Sequence, residues 1–321
     1  MQNNKMMFCN SKIKKRSCVY LQLLFLFTAL SSCSNAQVQI VQVKYFGENK
    51  GNLKMYNYVP ENLPESTKTP LVLVLHGCTQ SAEQIASETG WNKLADSLHF
   101  IVVYPEQRMI NNAGKCFNFF LGFESKKDKG EVASIKEMID YTFNHYHIDS
   151  NQVFIVGMSA GGAMTNALLN AYPTIFKSGA MLAAPSNLFD KNTLPPEQQP
   201  VVAIVQGEDD IIVPEKNSDK ILNQWVEKHQ LDTANNELFT NYKGVDVLYA
   251  QYFYNTDDEL KIILLKSKKV KHKLLITEGD SIHQGGKHDF HTDDIGFHST
   301  YWLASFFGLT KDAISLKKVS N

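Results

Sequence analysis

The chain has 321 residues, of which 43% are hydrophobic and 20% are charged. This composition supports a large buried core and excludes a disordered or fibrous protein. The first 33 residues contain five basic residues and no acidic one; removing these five from the 32 Lys and Arg leaves 27 basic against 33 acidic residues, a net charge of -6. An acidic body of this kind lacks the basic surface that nucleic-acid binding requires, and the single strongly apolar segment excludes a polytopic membrane protein.

The N-terminal 33 residues have the pattern of an export signal. The apolar run Val19–Leu30 follows a basic stretch and is about a dozen residues long, whereas a spanning helix needs about 20. It ends in Leu-Ser-Ser-Cys, which resembles a bacterial lipobox in which Cys33 becomes the lipidated first residue. Cleavage after Ala36 is the alternative. Either route predicts an exported protein that is either held at the cell envelope by a lipid anchor or fully secreted.

Five cysteines are present, and two of them follow the signal segment. Cys9, Cys18 and Cys33 are removed with the signal or used by the lipid, which leaves Cys78 and Cys116. An even number of cysteines in an oxidising compartment predicts a disulfide bond between them. Two free buried thiols are the alternative.

The remaining residues, 34–321, are predicted to form one domain in which strands and helices alternate. The predicted strands are 38–45, 53–59, 69–76, 100–104, 152–156, 201–205 and 274–277. The predicted helices are 131–147, 160–171, 216–229 and 299–307. Several of these strands are continuous apolar runs, typical of strands buried on both faces of a parallel sheet. We therefore expect an α/β fold, with residues 231–265 left as extra strands or an insertion.

A Gly-x-Ser-x-Gly sequence marks the best candidate nucleophile. Gly157-Met158-Ser159-Ala160-Gly161 directly follows the strand QVFIV and opens a predicted helix. In this strand–turn–helix context the turn exposes the serine, and the amide of Ala160 is available to an oxyanion. A phosphate loop or a plain tight turn is the alternative.

A serine nucleophile needs a base and a carboxylate that orients the base. Glu208, Asp209 and Asp210 follow the strand VVAIV, where the acid is expected, and we prefer Asp210. The histidines that follow Asp210 are His229, His272, His283, His288, His291 and His298. We select His283 because it follows the predicted strand 274–277 in a loop.

Two segments are candidates for the rest of the site. His76-Gly77-Cys78 ends the strand LVLVL, and the amide of Cys78 is a candidate second oxyanion donor. The aromatic segment 116–120 either lines a substrate cleft or lies in the core.

Residues 288–294 contain metal-ligating side-chain types, but their spacing matches no familiar site, so we expect no metal and no cofactor.

These stretches together resemble the esterase family of polyhydroxybutyrate depolymerases and the related feruloyl and acetylxylan esterases of carbohydrate esterase family 1. The resemblance runs through LVLVLHGCTQ, TGWNKLAD, FIVVYPEQ, CFNFF, YHIDSNQVFIVGMSAGGAM, YPTIFKSGAMLAAPS and GEDDIIVP. These matches extend over roughly residues 70–215 and become thinner from His283 onward.

The resemblance implies an α/β-hydrolase fold with a mostly parallel central sheet, helices on both faces and N-terminal antiparallel strands. It implies a triad of Ser159, Asp210 and His283, and a Cys78–Cys116 disulfide. It also implies oxyanion amides from Cys78 and Ala160. The predicted cleft residues are Trp91, Phe117, Phe119 and Met158.

Three departures from the family pattern bear on the substrate. Phe117 and Phe119 stand where the family often has Trp, Gln284 and Gly285 follow His283 in place of Trp-Pro, and Gln206 replaces a His. We expect a monomeric serine esterase that acts on acetyl or feruloyl esters of plant polysaccharides. A short polyester or generic ester is the second substrate class. A surface glycan-binding lipoprotein without catalysis is the alternative of another kind.

Overall fold

The computed structural model describes residues 39–64, 66–186 and 194–318. Within these residues the strands are β1 Val41–Val43, β2 Lys54–Tyr58, β3 Thr69–Leu75, β4 Ile101–Glu106, β5 Ile148–Met158, β6 Ser178–Leu182, β7 Val201–Gly207, β8 Asn236–Thr240, β9 Leu248–Tyr254, β10 Leu260–Ser267, β11 Leu274–Ile276 and β12 Thr292–Asp294. The α-helices are α1 Ala82–Thr89, α2 Trp91–Leu98, α3 Gly130–His145, α4 Ala160–Ala171, α5 Lys216–His229 and α6 Ser299–Phe307.

Ten of these strands form one sheet in the order β1-β2-β4-β3-β5-β6-β7-β10-β9-β8. The strands from β4 to β10 in this order run parallel to one another. The pairings at the two ends of the sheet, β1 with β2, β2 with β4, β10 with β9 and β9 with β8, are antiparallel. This is the α/β-hydrolase arrangement, and it confirms the predicted fold class. Parallel strands end at the same edge of a sheet, so the loops after β3, β5, β7 and β10 share one edge.

Apolar residues cover both faces of the sheet. In β3, Leu71, Leu73 and Leu75 pack on the side of α3, α4 and α5, whereas Val72 and Val74 pack on the side of α1, α2 and α6. Successive side chains of a strand point to opposite faces, so a strand between two helical layers is apolar throughout. This explains why TPLVLVL lacks the polar alternation of a half-exposed strand.

Residues 231–265 form three strands of the main sheet. β8 and β9 form an antiparallel pair, and β10 returns to lie parallel to β7, with Ile262 opposite Val202. The strand predicted at residues 274–277 is present as β11, but it pairs with β12 in a separate two-stranded sheet. The last parallel strand of the main sheet is β10, and His272 follows it.

The predicted export signal, the lipidation of Cys33 and the cleavage after Ala36 lie outside the described residues. In the part of the chain that the structure describes, none of the helices is both long and apolar enough to span a bilayer.

Candidate active site

Ser159 lies on a strained turn between β5 and α4. Its backbone has φ 54° and ψ -120°, a conformation that costs a non-glycine residue about 1–3 kcal/mol. The Ser159 amide donates to the carbonyl of Leu182 on β6, and the Ser159 carbonyl accepts from the amide of Ala163 in α4. The neighbouring strand and helix thus hold the serine in its strained conformation, with 8% of the residue exposed.

Close packing around the turn explains two of its glycines. A Cβ atom on Gly157 would lie 2.2 Å from the carbonyl oxygen of Gly161, and a Cβ on Gly161 would lie 2.5 Å from the carbonyl oxygens of Leu75 and His76. Backbone atoms cannot move aside as a flexible side chain could. Glycine at 161 therefore lets the serine turn approach the loop after β3 directly.

Buried Asp210 and partly exposed His272 form an acid–base pair at the same edge of the sheet. Asp210 Oδ2 lies 2.6 Å from His272 Nδ1, and the Asp210 side chain is fully buried. Asp210 Oδ1 accepts from the amides of Ile212 and Val213 at 2.9 Å and 2.8 Å. A buried carboxylate in this position makes Nδ1 of the imidazole the proton donor and leaves Nε2 free to accept a proton.

The competing acids after β7 make other contacts. Glu208 Oε1 accepts from the hydroxyl of Tyr249 at 2.5 Å, and Asp209 is exposed. Gln206, where the family pattern often has His, donates to the carbonyl of Val213 at 3.0 Å and so stabilises the loop that carries Asp210. The structure therefore places Asp210, among these three acids, against a histidine.

The structure does not bring His283 to Asp210, so its choice as base needs correction. His283 is exposed, and its ring packs edge-on against Tyr301 at 4.3 Å between centroids. The error follows from the strand assignment, because His283 lies beyond β11, outside the main sheet. His272 lies five residues after β10, which neighbours the strand that carries Asp210.

His76 fixes the loop after β3. Its Nε2 accepts from the amide of Gln107 at 3.0 Å, so Nδ1 carries the proton and donates to the carbonyl of Gly77 at 2.7 Å. Burial lowers the pKa of His76 to about 4, which keeps the ring neutral and this tautomer in place.

The His76 contact also orients the next peptide. In a trans peptide the carbonyl and the following N–H point in opposite directions, so holding the Gly77 carbonyl toward His76 turns the Cys78 N–H away from it. Residue 77 lies beside the nucleophile, since a Cβ there would be 3.4 Å from Ser159 Cβ. The amide of Ala160, the first residue of α4, has no acceptor within its helix. These two amides are therefore the candidates for oxyanion donors in this part of the site.

A disulfide joins Cys78 to Cys116, which confirms the predicted pairing. It ties the loop after β3 to the long segment between β4 and α3. A buried carboxylate holds that segment: Glu131 accepts from the amide of Asn118 at 2.8 Å and from the side chains of Asn118 and Gln107. Burial nevertheless raises the pKa of Glu131 to about 7.

Three of the four predicted cleft residues belong to the core. Trp91, Phe117 and Met158 are buried, and Trp91 packs between Phe100 and Phe307. Phe119 is half-buried against the core. The sequence left cleft and core open for the aromatic segment, and the structure places Trp91, Phe117 and Met158 in the buried clusters on the two faces of the sheet.

Other apolar side chains are exposed on the loops that surround the site. Ile211 and Ile212, directly after Asp210, are 88% and 66% exposed. A second group lies on the segment that the disulfide attaches to the loop after β3, residues 76–80, which is called the oxyanion loop below. It consists of Met109, Ile110, Phe120, Leu121 and Phe123. These side chains are therefore available for contact with another molecule.

No three His, Cys, Asp or Glu side chains of the described residues are grouped as metal ligands. In residues 288–294, His291 Nδ1 instead lies 3.0 Å from Glu88 Oε1. Sequence reasoning assigned no role to Glu88 or to Gln80, which donates to it. Their signal is weak in the sequence, because their importance arises from contacts between distant segments.

Known proteins are similar to parts of this chain. Residues 55–189 match the family described as esterase PHB depolymerase, which confirms the resemblance expected from the motifs. Poly(3-hydroxyalkanoate) depolymerase C of Paucimonas lemoignei is 40% identical over 162 residues, which are 50% of this chain and 38% of that protein. Feruloyl esterase B of Thermothelomyces thermophilus is 35% identical over 151 residues, 47% of this chain and 50% of that protein.

The chain thus spans half or less of the length of these two relatives. A solved structure of acetyl xylan esterase from Aspergillus awamori superposes with a TM-score of 0.67 and 20% identity, and the match covers 85% of this chain and all of that one. At this identity the likeness concerns the fold.

Proposed function

We propose, from the match of residues 55–189 to the esterase PHB depolymerase family, that this protein is a serine ester hydrolase that works through an acyl-enzyme. One observation supports the proposal most: the strained Ser159 turn and the pair of buried Asp210 with His272 lie at one edge of the sheet. Neither feature is needed for folding alone, since each places strain or charge where an apolar residue would cost less.

In the proposed first step, Ser159 Oγ attacks the ester carbonyl carbon while His272 Nε2 takes its proton. Asp210 holds Nδ1–H and stabilises the imidazolium that forms. The negative charge that develops on the carbonyl oxygen is bound by the amides of Ala160 and Cys78. Proton return from His272 to the leaving oxygen releases the alcohol and leaves the acyl group on Ser159.

In the second step, water attacks the acyl-enzyme and gives its proton to His272. The tetrahedral intermediate is held by the same two amides, and its collapse releases the carboxylic acid while the proton returns to Ser159. The catalytic groups in these steps are all side chains or amides of this chain, so the proposal requires no cofactor.

For the substrate, we favour acetyl or feruloyl esters carried on plant polysaccharides. The similarity to a feruloyl esterase supports this class. Ile211 and Ile212 provide exposed apolar surface beside Asp210, which suits an acyl group with an apolar part.

A short polyester is the second candidate. The 40% identity to a poly(3-hydroxyalkanoate) depolymerase favours it. The exposed apolar residues between β4 and α3, such as Phe120 and Phe123, also suit contact with an apolar polymer.

Export is part of the proposal. The segment 1–33 would direct the chain out of the cytoplasm, with Cys33 as the lipid anchor or with cleavage near residue 36, and residues 34–321 would act as a monomeric catalytic domain. The disulfide between Cys78 and Cys116 agrees with an oxidising compartment.

The test is hydrolysis of p-nitrophenyl acetate, methyl ferulate, acetylated xylan and poly(3-hydroxybutyrate) by the full chain. Ser159→Ala is compared with Ser97→Ala, which changes an exposed serine on α2. We expect turnover that is lost in Ser159→Ala and kept in Ser97→Ala, and covalent labelling of Ser159 by a fluorophosphonate. The ratio of rates among the four esters then separates the two substrate classes.

Full activity in Ser159→Ala would overturn the mechanism. Binding of xylan without hydrolysis or labelling would instead favour the non-catalytic glycan-binding alternative.

A further inference from the structure

Gly77 is held at both of its backbone polar groups. His76 Nδ1 donates to its carbonyl, and its N–H donates to Gln80 Oε1 at 2.6 Å. Glycine has the widest choice of backbone conformations, so a peptide next to it is oriented only as well as its contacts hold it. The direction of the Cys78 amide therefore depends on Gln80 as well as on His76.

Glu88 determines which way the Gln80 amide points. Gln80 is fully buried, and its Nε2 donates to the carboxylate of Glu88, which is buried too. An ionised carboxylate only accepts hydrogen bonds. Gln80 must therefore present its nitrogen to Glu88 and its oxygen to Gly77, and the amide cannot be inverted without placing two donors together.

His291 completes the chain of contacts and links it to the base. Its Nδ1 lies 3.0 Å from Glu88 Oε1, and its side chain is 19% exposed. The carbonyl of His291 accepts from the amide of Leu274 at 2.7 Å, two residues beyond His272. The side chain of His291 thus contacts the oxyanion side of the site, while its backbone contacts the segment that carries the base.

We propose that His291 is a positioning residue that fixes the oxyanion loop relative to the base, acting through Glu88 and Gln80. The inference rests on the proposed function, because it concerns how the Cys78 amide meets an oxyanion. His291 touches no reacting atom. Its loss leaves the buried carboxylate of Glu88 with one donor fewer, which frees Gln80 and lets the Gly77–Cys78 peptide turn.

The test compares His291→Ala, His291→Asn and His288→Ala in the full chain, with kcat and KM measured for p-nitrophenyl acetate. We expect kcat to fall about tenfold in His291→Ala with KM within about twofold, because a displaced amide weakens transition-state binding. The side-chain nitrogen of Asn takes the place of Nδ1, so His291→Asn recovers most of kcat. His288, exposed on the same loop, serves as the control and leaves both constants unchanged.

Glu88→Gln is the second variant, in case His291→Ala does not fold. It keeps the size of the side chain but replaces one of the two acceptor oxygens, which face Gln80 and His291, by a donor, and we expect a similar fall in kcat. A kcat within twofold of the wild type in both variants, or an equal loss in His291→Ala and His291→Asn, would overturn the inference alone. A wild type that neither hydrolyses esters nor reacts with a fluorophosphonate would overturn the proposed function and the inference with it.

Discussion

Two regions of the chain supply loops to the edge of the sheet that holds Ser159 and Asp210. They are residues 69–184 and residues 201–298, and the chain builds them differently. In the first, the strands β3, β5 and β6 are neighbours in the sheet, and the serine turn and the oxyanion loop meet through backbone contacts. In the second, the hairpin β8–β9 separates β7 from its neighbour β10 along the chain. The position of the proposed nucleophile is therefore specified by local backbone geometry, whereas that of the proposed base is specified by which strand lies next to β7.

The largest expected effect tests this difference directly through two histidines. His272→Ala should reduce kcat for p-nitrophenyl acetate at least about 10³-fold, because the serine loses its general base. His283→Ala should leave kcat within about twofold, since His283 is exposed against Tyr301. Steady-state kinetics of the two variants, with circular dichroism as a check of folding, provides the measurement. The reverse order of the two effects would mean that the base comes from the loop after β11.

A second matched pair concerns the acid. Asp210→Asn keeps the shape of the side chain but favours the wrong tautomer of His272, and we expect kcat to fall by about 10³- to 10⁴-fold. Asp209→Asn removes an exposed carboxylate one residue away and should change kcat by less than twofold. Equal effects of the two substitutions on kcat would show that the measured loss comes from the loop as a whole.

The sequence predicts the first of these two regions better than the second. The turn at Ser159 can be identified from the sequence because a strand, a tight turn and a helix leave their pattern in consecutive residues. The sequence points to His283 rather than to His272, the histidine that contacts Asp210, because its pattern does not reveal β10 within residues 231–265. Its sequence LKIILLKS contains the apolar run IILL, but Lys residues flank this run, and polar and aromatic residues of the extra hairpin precede it. The contacts of Gln80 with Glu88, and of Glu88 with His291, join segments up to 203 residues apart and leave no local signal.

The disulfide joins the oxyanion loop to the segment after β4, and its removal should destabilise the first region. The bond closes a loop with a sequence separation of 38, for which the lost chain entropy corresponds to about 4 kcal/mol in the free energy of unfolding. The double variant Cys78→Ser/Cys116→Ser, compared with the wild type by urea unfolding, measures this. An unchanged midpoint would mean that the contacts of Glu131 hold the segment without the bond.

Glu131 makes the stability of the same segment depend on pH. Burial raises its pKa from 4.5 to about 7 in the folded state. Folding therefore favours the protonated form, and the stabilisation from this group is full below pH 4.5 and is lost as the pH rises through about 7. Relative to Glu131→Gln, the wild type should lose about 2 kcal/mol of unfolding free energy between pH 5 and pH 8.

Urea unfolding of both proteins at the two pH values measures this difference. His76, whose pKa is lowered to about 4, acts in the opposite direction in both proteins and cancels in the comparison. Glu48→Gln, an exposed carboxylate, is the control and should retain the wild-type profile. A Glu131→Gln profile parallel to that of the wild type would contradict the prediction.

The smallest expected effect concerns Ile211 and Ile212, the two exposed apolar residues beside Asp210 in the second region. Ile211→Ser/Ile212→Ser keeps the two amides of this loop, one of which donates to Asp210, and removes two exposed apolar side chains. If these side chains contact the acyl group, KM for methyl ferulate should rise about three- to tenfold, whereas KM for p-nitrophenyl acetate should stay within twofold, because the acetyl group offers little apolar area. Leu238→Ser, which removes an exposed apolar side chain from the edge strand β8, is the control. An equal rise for both esters would indicate that the substitutions disturb the loop that carries Asp210, and unchanged KM values would show that the acyl group lies elsewhere.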